Sequence, residues 1–273
     1  MEQALLRVFL SAATAALLFC ERVEPKELPK PIGEYFEGYR ACALLVRRDR
    51  YDESLIEFNP EQCDLPLSPC STFKIPNALI GLQTGTVSGP RHLKTWDGTA
   101  HSREINNRDH TLASAIEHSV VWYFQSLARD VGEREMAAWL SRLDYGNQDI
   151  SAGIDRFWLG ASLEISARSQ LDLVRSLWRS GLPFDQAYQQ QLREMLVQES
   201  ELPGTLHGKT GSCPGEPDAG KPDHGWFIGW VEWDRNRARN PATTWFVVNI
   251  MGKEAWGTEA RRIAIRLLSD QQP

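Results

Sequence analysis

The sequence predicts an α+β fold of the α/β-sandwich kind: an antiparallel sheet built from an N-terminal hairpin and C-terminal strands, flanked by helices, with a mainly helical region inserted. Three observations predict it. Two strand-like runs, at 41–46 and 54–58, are separated by a polar, turn-rich stretch. The middle of the chain has apolar residues at helical spacing. The last third has three runs rich in aromatic and β-branched residues, at 205–212, 225–233 and 244–250, followed by one amphipathic segment.

The elements follow in order. After Arg7 the stretch from Val8 to Cys20 is almost wholly apolar, too short for an ordinary bilayer-spanning helix yet suited to the core of an export signal. No small-x-small cleavage site follows Phe19, and that bulky residue precedes Cys20 where a lipoprotein signal has a small one. The expectation is a signal peptide over 1–20 and a single domain over 21–273. Its sheet-and-helix part lies at about 31–70 and 200–273, its helical part at about 71–199. Charged residues with Pro25, Pro29 and Pro31 make 21–31 a linker or the mature start. Arg47-Arg48-Asp49-Arg50 falls where the hairpin turns, so it reads as a solvated turn. Pro60, Pro66 and Pro69 keep the next stretch irregular, and a helix is expected from near Ser71 to a break at Gly85. Met136, Trp139, Leu140 and Leu143 mark one helix face; Leu171, Val174, Leu177 and Trp178 mark another, with Ser166 as its N-cap. A loop joins these helices from Tyr145 to about Leu163, and Ala260, Ile263, Ala264, Leu267 and Leu268 form the apolar face of the last helix.

Composition narrows the function. The 273 residues are 42% hydrophobic and 24% charged, an ordinary globular mixture. The net charge is −6 with Lys and Arg scattered, which argues against nucleic-acid binding. The five cysteines include no C-x-x-C, and no metal site is expected. Cys42 and Cys63 flank the hairpin, where they either bridge or stay as two buried thiols. His207 and His224 flank the strands discussed next but have no partner at triad or metal spacing, so all six histidines read as structural.

Two motifs carry chemistry. In Ser71-Thr72-Phe73-Lys74 the lysine is three residues after the serine, within reach of its Oγ on a helix. A serine hydroxyl needs such a base to become a nucleophile. Near a helix start it also lies beside free N–H groups that can hold an oxyanion. In Lys209-Thr210-Gly211 an edge strand would offer a cation, a hydroxyl and a backbone open to a ligand, with the Ser212 N–H completing an oxyanion hole. S-x-x-K with a later K-T-G is the pattern of penicillin-recognising enzymes.

From about Phe36 to Leu268 the chain resembles the class D (oxacillinase-type) serine β-lactamases. Ser119-Val120-Val121 is similar to that family's S-x-V, Tyr145-Gly146-Asn147 to its Y-G-N box, Trp158 to its active-site-loop tryptophan, and Gly225-Trp226-Phe227-Ile228-Gly229-Trp230 to its aromatic strand. The resemblance implies hydrolysis of β-lactams through an acyl-Ser71 intermediate. Lys74 would carry an N-carboxylate (N6-carboxylysine) formed from carbon dioxide, with no other cofactor. A lysine among apolar groups loses its proton readily and can then add carbon dioxide. Val120 would help desolvate it and the Trp158 indole N–H would bond the carbamate. Ser119 and Lys209 would relay a proton to the leaving nitrogen. Thr210, Gly211, Ser212, Tyr145 and Arg261 would bind substrate, with Arg262 the alternative carboxylate anchor. The resemblance further implies a small-molecule β-lactam as partner, a periplasmic location, no stable membrane insertion after signal removal and a monomeric or homodimeric state. Gly160 departs from relatives that carry a larger residue after the tryptophan, and Cys213 is unusual beside the oxyanion strand.

Two other functions share the scaffold. A D-Ala-D-Ala peptidase would release penicillin slowly, and Val120 and Trp158 argue against it. A β-lactam sensor would acylate once; it needs upstream membrane helices, for which the residues before Phe36 leave no room.

Overall fold

Strands buried on both faces need apolar side chains at odd and even positions alike. Residues 41–46 meet that demand. Cys42, Leu44 and Val46 point into one core, while Ala41, Ala43 and Leu45 point into a second. The computed structural model of the chain describes residues 31–48, 52–215, 218, 220–234 and 242–272. The expected signal peptide and the tip of the 47–50 turn lie outside the described residues.

In chain order the elements are β1 (Arg40–Arg48), β2 (Glu53–Phe58), α1 (Pro60–Asp64), α2 (Lys74–Gln83), β3 (Leu93–Lys94), β4 (His110–Thr111), α3 (Leu112–Glu117), α4 (Val121–Val131), α5 (Glu133–Leu143), α6 (Ala167–Trp178), α7 (Gln186–Met195), β5 (Val197–Gln198), β6 (Gly204–Cys213), β7 (Asp223–Trp233), β8 (Thr243–Gly252) and α8 (Gly257–Asp270). The main sheet is antiparallel in the order β2-β1-β8-β7-β6-β5, so β1 pairs with β8 across almost the whole sequence. The expected α+β sandwich is the observed one. The two-residue strands β3, β4 and β5 are additions, each too short to show a period of two.

The same alternation divides the later strands. Trp226, Ile228, Trp230, Trp245 and Val247 face the inserted helical layer; Phe227, Val231, Phe246, Val248 and Ile250 face α8. On α8 the expected face, Ala260, Ile263, Ala264, Leu267 and Leu268, is fully buried. Ser166 caps α6 as expected, its side chain accepting from the Ser169 N–H.

The expected helix start at Ser71 differs in one respect. Cys70–Phe73 is a 3-10 turn, with the Thr72 N–H bonded to the Pro69 carbonyl at 3.1 Å, and the α-helix begins at Lys74. Pro76 supplies a reason. An α-helix running through Thr72 would need an N–H at residue 76 for the Thr72 carbonyl, and proline has none. At the third position of α2 that missing donor costs nothing, because first-turn N–H groups have no intrahelical partner.

Cys42 on β1 and Cys63 on α1, both fully buried, form a disulfide with their Cα atoms 5.0 Å apart. Of the two alternatives left by the sequence, the structure has the bridge. It closes a loop of 21 residues, which loses about 3 kcal/mol of unfolded-chain freedom. The Cys42→Ala/Cys63→Ala variant should therefore unfold at lower denaturant, with stability reduced by about 3 kcal/mol. An unchanged denaturation midpoint would show that the bond adds no constraint.

Candidate active site

A cleft of about 770 Å³ opens between the helical layer and the free edge of β6, lined by Ser71, Ser119, Lys209, Thr210, Ser212 and Arg261 among others. Strand parity explains which groups point where. Lys209, Gly211 and Cys213 share the face turned to the helical layer, while Thr210 and Ser212 share the face turned to α8. Accordingly the Gly257 N–H at the start of α8 bonds Ser212 Oγ at 2.8 Å.

The 3-10 turn raises Ser71 half-buried into the cleft, and the first residue of α2 drops Lys74 beneath it. Lys74 Nζ lies 2.6 Å from Ser71 Oγ. Lys74 is fully buried, and its Nζ is 5.6 Å from the centroid of the Phe124 ring. Among the described residues no carboxylate pairs with it. Burial therefore holds its amine well below the ordinary lysine range, and the charges of Lys209 and Arg103 push the same way. Ser119 sits between α3 and α4 with φ +56°, a left-handed conformation unusual for serine. Lys209 Nζ lies 2.9 Å from its Oγ. Lys209 is also buried, and burial first, then Arg103, lowers its pKa to about 7.

Beneath these groups lies a dry aromatic layer. Val120 and Trp158 are fully buried. The Trp158 ring packs 5.3 Å from Phe73, the neighbour of Lys74, and its Nε1–H has no acceptor among the described residues. The loop carrying it is held at its back. Ser68 Oγ donates to the Trp158 carbonyl and accepts from the Gly160 N–H, each at 2.9 Å. Gly160, with φ +81°, is thus tied into the loop.

The structure separates the two arginine candidates. Arg261 lines the cleft, held by the Glu199 carbonyl at 2.6 Å and by Gln198, whereas Arg262 is exposed and paired with Glu259. Two expected contacts differ. Tyr145 is buried, with its ring edge-on to Phe73 at 5.7 Å, and is not among the residues lining the cleft. Gly211 does not leave room for a ligand on its side-chain face: a Cβ there would lie 2.8 Å from the Pro69 carbonyl. Its small size lets β6 press against the nucleophile's turn instead.

Sequence reading missed three features. Arg103 lines the cleft, fixed by donating to the His118 carbonyl at 2.9 Å. With Lys209 and Arg261 it outweighs Glu117, the carboxylate in the lining, so the cleft suits an anion. Cys70 and Cys213 form a second disulfide. An even cysteine count once Cys20 is set aside, with one cysteine beside each motif, was the available signal. His224 lies against this pair, its ligating nitrogen and both sulfurs within 4.8 Å of one another. The 143 residues between the cysteines hid that cluster from any spacing argument. The sulfurs are bonded to each other and His224 Nε2 is 3.0 Å from the Ser68 carbonyl, so the histidine ties the turn to β7.

The chain is similar to proteins already known. The family profile of the penicillin-binding protein transpeptidase domain matches residues 41–268. "Probable beta-lactamase YbxI" of Bacillus subtilis is 39% identical over 223 residues, 82% of this chain and 78% of that protein. "Beta-lactamase OXA-20" of Pseudomonas aeruginosa is 34% identical over 74% of this chain and 73% of its own length. The solved structure of "Class D beta-lactamase BAT-2" superposes with a TM-score of 0.78 at 38% identity, covering 88% of this chain and 95% of that one.

The electrostatics yield a direct check. Arg103→Ala removes a positive charge that opposes the Lys209 ammonium, so the Lys209 midpoint, about 7, should move to higher pH. The change should be larger at low salt, because Arg103 is exposed. Lysine-selective NMR titration measures it, and an unmoved midpoint would remove Arg103 from the electrostatics of the cleft.

Proposed function

The chain belongs to the class D serine β-lactamases, and we propose that it opens the lactam by acylating Ser71 and then hydrolyses the ester with Lys74 as the seat of the base. The observation that carries this reading is the fully buried Lys74 amine 2.6 Å from Ser71 Oγ, where burial favours loss of its proton.

Ser71 Oγ attacks the lactam carbonyl as its proton passes to the Lys74 side. The Ser71 and Ser212 N–H groups receive the developing oxyanion. As the C–N bond breaks, Ser119 Oγ–H protonates the leaving nitrogen and Lys209 restores that proton across 2.9 Å. Thr210 and Arg261 hold the substrate carboxylate from the α8 side of the strand. Water then attacks the acyl carbonyl, and its proton must also be taken at the Lys74 position.

The residues fit a carbamate on Lys74. Burial eases loss of the amine's proton, which addition of carbon dioxide requires, the Phe124 ring lies 5.6 Å from the amine, and Trp158 offers a buried donor with no protein acceptor among the described residues. An indole N–H can donate and cannot accept, which suits an anion. When present, the carbamate supplies an oxygen base for both acyl transfers.

The test uses a chromogenic cephalosporin. The protein should turn over many equivalents, and Ser71→Ala should turn over none. Trp158→Phe keeps most of the ring and deletes the donor. It should still acylate Ser71, then stall as a stoichiometric adduct by intact mass, with the steady-state rate lowered at least about 10²-fold. A Trp158→Phe variant as fast as the parent, with no adduct, would reduce Trp158 to packing.

A further inference from the structure

We propose that the Cys70–Cys213 disulfide is a positioning device for acyl transfer, setting the separation of the two backbone N–H groups that receive the oxyanion. The inference rests on the reading of Ser71 as nucleophile. Its basis is placement: Cys70 directly precedes Ser71, and Cys213 directly follows Ser212. The bond thus spans the oxyanion hole from behind, joining segments 143 residues apart whose Cα atoms lie 5.8 Å from each other.

The orientation of both donors follows from the backbone. The Gly208 N–H donates outward to the Leu196 carbonyl, and the Thr210 carbonyl accepts from Lys209 Nζ. Backbone groups alternate along a strand, so residues 208, 210 and 212 direct theirs away from β7 and into the cleft. The Ser212 N–H therefore faces the site. The Ser71 N–H lies in the first turn of the Cys70–Phe73 helix, where no intrahelical carbonyl precedes it.

Other restraints on this distance are not covalent. β5 pairs with β6 only as far as His207, so residues 209–213 form a sheet edge. The Ser68 carbonyl accepts from Trp226 Nε1 at 2.9 Å and from His224 Nε2 at 3.0 Å, and these β7 residues reach β6 through the ladder they share with Gly211 and Cys213. Gly211 limits how far β6 and the turn can separate from contact only by packing, since its missing side chain permits their approach and does not enforce it. Cys70 also holds φ +51°, a strained conformation for a residue with a side chain, which persists where its surroundings fix it. The disulfide supplies that fixation, and it is the covalent link from the turn to β6.

The bond should matter to rate more than to binding. A misplacement of about 1 Å in a reacting constellation costs on the order of 10²-fold, as does loss of one oxyanion donor. In a Cys42→Ala/Cys63→Ala background, dithiothreitol supplies the two electrons and two protons that convert Cys70–Cys213 to thiols. Alkylation with intact-mass analysis confirms the opening. We expect kcat to fall about 10- to 100-fold with KM held within about threefold. Acylation and deacylation should slow together, since both use the same donors, and reoxidation should restore the rate. Cys70→Ala/Cys213→Ala should behave like the reduced protein and serves where the buried bond resists reductant. Circular dichroism at the assay temperature measures the folded fraction. An unchanged kcat with the bond open, or a loss of activity only in proportion to unfolding, would overturn the proposal. An oxidised parent that never acylates Ser71 would instead overturn the reading beneath it.

Discussion

The structure depends on one constraint: a lysine amine with no carboxylate partner among the described residues, kept out of water directly below a serine hydroxyl. Removing the proton from an ordinary lysine at pH 7 costs about 5 kcal/mol. Burial disfavours the charged ammonium and holds the Lys74 amine well below the ordinary lysine range. The neutral amine favoured in this way is the form able to take a proton from Ser71. The Phe124 ring lies 5.6 Å from this amine, and Phe73, packed against Trp158, is its buried neighbour in the chain; none of these rings needs to touch substrate to matter.

The fold delivers the constraint through a short irregular turn and one strand edge. Pro76 delays the α-helix until Lys74, so Ser71 rides on a 3-10 turn while its base begins the buried helix. Opposite it, β6 uses both faces. Its odd-numbered residues Lys209, Gly211 and Cys213 serve the nucleophile side, and its even-numbered residues Thr210 and Ser212 serve the α8 side with Arg261. Burial thus depresses the proton affinity of Lys74 beneath the cleft and of Lys209 in its wall, while Arg103 and Arg261 add positive charge to its lining.

Much of this was legible in the sequence because it is local. Strands with near-continuous apolar runs and helices with a 3.6-residue period announce themselves, which is why β1, β7, β8, α6 and α8 fall where their runs are. Ser71 with Lys74, and Lys209 with Thr210, are motifs of three or four residues. What the sequence hid is pairwise and distant. Cys70 meets Cys213, and His224 meets both, only after the turn packs on the sheet. Arg103 is one arginine in a polar loop until the fold aims it at the cleft. Tyr145 belongs to a recognisable tripeptide, yet its ring faces Phe73, because a residue's neighbours are set by tertiary packing that a motif does not encode. Gly211 is legible as a glycine, but only the 2.8 Å that would separate a Cβ there from the Pro69 carbonyl tells which partner it accommodates.

The most direct measurement of the central claim is carbon-13 NMR of the protein in labelled bicarbonate. A dry, neutral Lys74 should add carbon dioxide and give one carbamate resonance. That resonance should vanish in Lys74→Ala, fade on acidification as the amine takes its proton, and return when the pH is restored. A wild-type spectrum with no carbamate signal near neutral pH, alongside a Lys74 amine that titrates in the ordinary lysine range, would contradict the account at its base.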